Sequence, residues 1–205
     1  MRIRPLPPSK MSLEQRVVYD AILQGPRSRR PGIRLVGSDG ALRGPFNAML
    51  CNPRVGEPLQ AVGASLRFET DLRADLREFV ILLVAVQWRC GFEWFEHEPI
   101  ARAVGVPEHV LSALSFTAAC DDIDDDYAAV EKFVRDLFPR GQVGDATYDR
   151  LRERIGELQV FEVIALAGYY STLAMILNVM GTADEPLEDG VTVPHWFRRA
   201  SGVAS

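Results

Sequence analysis

The chain has 205 residues, 47% of them apolar and 25% charged, with a net charge of −5. That is the composition of a globular protein with one domain, or one domain and an appendage, and enough length for a substantial core. The acidic balance, relieved only by the short cluster Arg27, Arg29 and Arg30, excludes a nucleic-acid footprint, and three widely spaced cysteines (Cys51, Cys90, Cys120) form neither a disulfide framework nor a zinc pattern.

The opening MRIRPLPPSK lacks the apolar stretch of a signal peptide. Apolar runs are broken by Glu, Gln, Arg or Gly before the roughly 18 residues a membrane span requires. The expectation is a cytoplasmic protein in a reducing compartment, with no membrane and no nucleic acid as partner.

Residues 1–12 are proline-marked and extended. Ser12, with Gln15 three residues on, starts a helix through a capping box. Val17, Val18, Ala21 and Ile22 give that helix an apolar stripe, and Gly25-Pro26 ends it. Residues 25–45 form a long loop, of a length usually reserved for function or for covering something. After Gly44-Pro45 comes a short helical turn closed by Pro53. Residues 55–68 are helical by period, with Leu59, Val62 and Leu66 on one side.

Thr70 and Asp71 cap a central helix expected at 72–88, and a second helix follows at 91–104. Gly105 suits the position just past that helix, and Pro107 the first position of a short helix to 114. The acidic run Asp121–Asp126 reads as an N-capping linker into a helix over 127–138. The other reading, a divalent metal site, lacks the glycine and distal glutamate of a calcium loop. Residues 145–155 form an amphipathic helix and 159–180 a long apolar one; the tail from Thr182 is polar. No stretch alternates long enough to demand a strand, so the class is all-α with about nine helices. Glu78-Phe-Val-Ile-Leu and Glu162-Val-Ile-Ala-Leu echo each other, each a glutamate opening an apolar helix.

The organising stretch is EFVILLVAVQWRCGFEWFEH, residues 78–97. Residues 79–86 are uniformly apolar, so a helix here has no solvent face. Arg89 and Gly91 mark a turn into the next helix. Offsets of three and seven residues then bring Cys90, Glu93 and His97 within about 60° of one another on that helix. A thiol at a helix start would be favoured as the thiolate. The candidate catalytic residues are therefore His97, Glu93, Glu78 and Cys90. Arg77 and Arg89 are candidates to bind a substrate carboxylate, with Trp88 and Trp94 as an apolar wall. His109 and His195 fall outside the constellation and read as surface residues.

Glu78, Cys90 twelve residues on, Glu93 three further and His97 four beyond that resemble the carboxymuconolactone decarboxylase and alkylhydroperoxidase D superfamily. Its peroxidase branch has Glu, then CxxC, then His; here Glu93 stands where the second cysteine belongs. Its decarboxylase branch commonly has an acid there, and Glu78, Glu93 and His97 match that pattern. The Arg77-Glu78 pair, Ile100–Gly105, the opening RIRPLPPSKMSLEQRVVYDAI, Gly44-Pro45-Phe46, LRFETDLRADLREFVIL and GYYSTLAMILNVMG are also similar to family members.

The resemblance implies an alkylhydroperoxidase D-like all-α fold with a central helical hairpin, assembled as a homotrimer or homohexamer. The organisation expected is an arm, helix and loop over 1–45, the decarboxylase-like helical domain over 46–181 and a tail over 182–205. Three functions follow. One is acid–base chemistry on a small carboxylic acid or lactone, decarboxylation or proton transfer, with His97 as the shuttle and Glu93 or Glu78 holding its tautomer. Another is a thiol-dependent peroxidase working through Cys90, with Cys51 or Cys120 as the only possible resolving thiols. The third is a non-catalytic helical oligomer or ligand-binding protein. None calls for a metal or another cofactor.

Overall fold

A computed structural model describes residues 2–29, 34–118, 123–181 and 193–197. Arg30, Cys120, Asp121, Asp122 and the tail from Thr182, apart from residues 193–197, lie outside the described residues. Nine α-helices follow one another among those described: α1 (Leu13–Gln24), α2 (Pro45–Met49), α3 (Pro53–Phe68), α4 (Ala74–Trp88), α5 (Gly91–Ala103), α6 (Glu108–Ser115), α7 (Asp125–Arg140), α8 (Asp145–Ile155) and α9 (Glu157–Met180). The only β pairing among them is an isolated antiparallel bridge, Val36 to Leu42. The described residues fall into two compact units, one of residues 2–29, 34–70 and 175–181, the other of residues 71–118, 123–174 and 193–197.

In the first unit the capping box forms as expected. The Gln15 N–H donates to Ser12 Oγ at 3.2 Å, and the Ser12 N–H to Gln15 Oε1 at 2.9 Å. Val18, Tyr19 and Ile22 bury against Leu35, Leu42 and Leu50, whereas Val17, expected in the stripe, faces solvent. The inward face of α3 also differs from the apolar reading. Gly56, Gln60, Gly63 and Leu66 point in, and Val62 is exposed. A Cβ on Gly56 would stand 2.2 Å from the Met49 carbonyl oxygen, so glycine is what lets α2 and α3 approach. Arg27, first of the basic cluster, is buried. It donates to Gln60 Oε1 at 3.3 Å and to the Gln60 carbonyl at 3.1 Å, and lies over the Phe46 ring.

The second unit is built on α4, whose residues 78–86 are all buried. Its entry differs from expectation. Arg73 is the N-cap, and the Asp71 and Leu72 N–H groups donate to the two carboxylate oxygens of Glu162 at 3.1 and 2.9 Å. A buried acid on α9 thus does the work assigned to Thr70 and Asp71. Pro107 likewise sits at the N-cap of α6, one position earlier than expected, while Gly105 takes the positive φ of 98° anticipated for it.

The described part of the acidic run is structural. Asp124 caps α7 through the Asp126 N–H at 2.8 Å. Asp126 accepts from Arg73 at 2.8 Å and from Arg154 at 2.7 Å, and Asp75 accepts from the Tyr127 hydroxyl at 3.0 Å. Arginines therefore answer these charges. Residues 163–180 of α9 contain no charged side chain, so by length and composition this helix could cross a membrane, contrary to the expectation of interrupted runs. Burial of 61% of that apolar window within the protein is what a core helix shows.

Candidate functional site

The corner between α4 and α5 is only two residues long. Cys90 N–H donates to the Ala85 carbonyl at 2.9 Å and Arg89 N–H to the Val86 carbonyl at 3.2 Å, the paired bonds of a Schellman ending. That motif requires a left-handed residue. It is Arg89, at φ 49° and ψ 42°, and not a glycine. A left-handed conformation costs a residue with a Cβ about 1–2 kcal/mol, which the surrounding helices must hold in place. Gly91 is needed for a different reason. A Cβ there would come within 2.3 Å of the Phe197 ring, which lies over the first turn of α5.

The hairpin brings Glu78 and His97 together. His97 Nδ1 lies 2.7 Å from Glu78 Oε2, with the Glu78 side chain 1% exposed and that of His97 13%. Where Glu78 is ionised it can only accept, and Nδ1 is then the donor of the pair. Beside the imidazole stands Tyr170 of α9, its ring centroid 5.2 Å away and its plane at 89° to the imidazole. Tyr169 stacks edge-on against Tyr170 at 5.4 Å. Neither tyrosine stood out in the sequence, where they sit in an apolar helix with no local mark of a partner more than 70 residues upstream.

Glu93 behaves differently from the expectation that it holds the imidazole. Both its carboxylate oxygens are buried with no hydrogen-bonding partner among the described residues. Burial pushes its pKa well above the usual carboxylate range, which favours the protonated, neutral acid.

Cys90 also departs from its expected state. It is 1% exposed, and burial followed by the charge of Glu93 drives its thiol up to about 12, against the weaker opposing pull of the Glu93 and Phe92 amides. The anticipated thiolate at the helix start is not formed; desolvation outweighs the helix end.

The four substrate-binding candidates differ in exposure. Trp94 is fully buried against Trp196, ring centroids 5.9 Å apart. Trp88, the last residue of α4, is half-buried, and Arg89 is exposed at the corner. Arg77 is half-buried on α4 and donates to the Leu72 carbonyl at 3.4 Å. His109 and His195 are exposed, as expected. Cys51 is exposed.

No family model matches the sequence, and no curated protein matches it. Solved structures do. An uncharacterised peroxidase-related protein with an alkylhydroperoxidase D core from Ralstonia eutropha JMP134 superposes with a TM-score of 0.67 at 15% identity, over 89% of this chain and 92% of that one. The debrominase Bmp8 superposes with a TM-score of 0.63 at 16% identity, over 90% of this chain and 91% of that one. With its helical order and central α4–α5 hairpin, the chain has the alkylhydroperoxidase D-like all-α fold.

Proposed function

We propose that the chain is a carboxymuconolactone decarboxylase-like enzyme that moves protons on a small carboxylic acid or lactone. The observation that supports this reading is the 2.7 Å Glu78–His97 pair inside a buried hairpin. It supplies an imidazole hydrogen-bonded to a buried carboxylate, the make-up of a proton shuttle in a water-poor place. In decarboxylation the bond to the carboxylate carbon breaks, CO₂ leaves, and the electron pair delocalises into the unsaturated ring as a dienolate. The His97 imidazolium then delivers its proton to carbon and is reprotonated from solvent. Glu93, neutral and buried, donates a hydrogen bond to the developing enolate oxygen. Arg77 and Arg89 are the cations offered for the substrate carboxylate. Trp88 and Trp94 supply the apolar wall. The assembly proposed is a homotrimer or homohexamer.

A thiol peroxidase through Cys90 is the second reading, favoured by the peroxidase-related neighbour. The protonated, buried thiol and the glutamate at position 93 weigh against it. The test is CO₂ release from a panel of carboxylated unsaturated γ-lactones, run beside hydroperoxide consumption with a dithiol. His97→Ala is expected to lower the decarboxylation rate at least about 100-fold with the helical spectrum unchanged, and Cys90→Ser to leave the rate within about twofold. A fully active His97→Ala removes the acid–base reading, and hydroperoxide turnover abolished by Cys90→Ser installs the thiol one.

A further inference from the structure

The corner between α4 and α5 lies at the surface, since Arg89 is exposed, yet the adjacent Cys90 is 1% exposed and Glu93 3%. Side chains at the head of a helix that starts from such a corner stay dry only under a cover. Residues 193–197, Val-Pro-His-Trp-Phe, supply one. They cross the face of α5 that carries Gly91, Trp94 and Phe95, residues three and four apart. Phe197 lies over Gly91 and meets Phe95 edge-on at 4.8 Å, and Trp196 meets Trp94 edge-on at 5.9 Å. The cover is thus laid on the first turn of α5, beside the thiol and the acid.

Its hold is light. Of its five residues Pro194 alone is buried; Trp196 and Phe197 are half-buried, and Val193 and His195 are exposed. The His195 N–H ties its backbone to the body by donating to the Ser115 carbonyl at 2.9 Å, whereas the Phe197 N–H turns back to the Pro194 carbonyl, also at 2.9 Å, within the segment itself. The Trp196 indole N–H is buried with no hydrogen-bonding partner among the described residues. A stranded donor costs about as much as an edge-to-face pair adds beyond its buried area, so much of the gain from Trp94 is offset. Below the cover, both Glu93 oxygens are likewise buried without a partner among the described residues. Lifting the segment returns polar groups to water from both layers.

We infer that residues 193–197 are a strap that lifts from α5 without wider unfolding and gates access to Cys90 and Glu93; that the gated groups serve proton transfer rests on the reading above. Segments that open at active sites are drawn from the least stable part of a fold, and a short stretch seated by two half-buried rings belongs there.

The experiment uses the full chain with Cys51→Ser and Cys120→Ser, which leaves Cys90 as its one thiol. Reaction with N-ethylmaleimide at pH 8 is followed by intact mass, beside the same chain carrying Trp196→Ala and Phe197→Ala. With both rings present Cys90 is expected to react slowly; without them it should react at least about tenfold faster, the helical spectrum being unchanged. Equal rates in a folded variant overturn the inference. Amide hydrogen exchange of the unsubstituted chain is the second reading and needs no variant. The His195 and Phe197 amides are expected to exchange at least about 100-fold faster than those of residues 80–84 in α4, yet slower than unprotected amides. Exchange in step with α4 overturns the inference, because the segment then leaves only when the chain unfolds. Unprotected exchange overturns it as well, because nothing is then covered. Should the double variant fail to fold, exchange decides alone. Neither reading needs turnover, so a wrong reaction assignment, seen as an active His97→Ala, is told apart from a wrong role for the strap.

Discussion

Phe197 lies so close over Gly91 that a Cβ on the glycine would stand 2.3 Å from its Cε2 and 2.6 Å from its Cδ2. The same segment sets Trp196 against Trp94 and the Phe197 ring against Phe95 at 4.8 Å. By helix propensity alone, Gly91→Ala gains up to about 1 kcal/mol. With the ring in place the change is expected to cost about 1–3 kcal/mol instead. Phe197→Ala should relieve it, making the double variant more stable than Gly91→Ala alone in urea melts followed by tryptophan emission. A more stable Gly91→Ala protein contradicts the contact.

Glu93 makes stability depend on pH in a stated direction. Its folded-state pKa is raised above the ordinary value of 4.5 by burial, so the folded chain holds this proton more tightly than the unfolded one. Its contribution is complete below pH 4.5 and is lost as pH climbs toward the folded value, by up to about 1.4 kcal/mol per pH unit. Glu93→Gln cannot ionise. Urea midpoints measured from pH 4.5 upward should show the variant gaining on the wild type until the folded-state pKa is passed, and parallel curves count against a buried acid with a raised pKa.

Cys90 should be silent toward alkylation. In a Cys120→Ser background, iodoacetamide at pH 8 is expected to label exposed Cys51 and spare Cys90 until urea unfolds the chain, because the native thiol is both covered and protonated. Peptide mass mapping reads this directly. Cys90 labelled as fast as Cys51 would revive the thiol chemistry.

Glu162→Ala strands the Asp71 and Leu72 N–H groups at the head of α4. The expected cost is about 1–3 kcal/mol, with Glu162→Gln losing less because one acceptor oxygen remains. Hydrogen exchange at residues 71 and 72 should accelerate in the alanine variant before global unfolding does. Exchange there at wild-type rates means the carboxylate holds nothing.

Patterns local in the chain were legible before the structure. The Ser12 capping box, Gly105 past α5, and the Glu78–His97 meeting all follow from spacing within one helix or one hairpin. Three kinds of feature were not. Gly56 and Gly63 form a buried face that an apolar count reads as blank. Tyr170 and Glu162 meet residues 73 and 90 or 91 positions earlier, a relation that only packing creates. The states of Cys90 and Glu93 depend on burial, and for the thiol that outweighs the helix end on which the residue order suggested a thiolate.

Arg89 and Cys90 leave the hairpin with no slack. One residue inserted between them would part the paired Ala85 and Val86 bonds that set where α5 starts and carry the imidazole off its carboxylate, although every side chain were kept. Deleting one would remove one of those bonds to the same effect. Length at this corner is thus as restrictive as residue identity: a chain of this design can drift widely in composition along α4 and α5, but it cannot gain or lose a single peptide unit where they join.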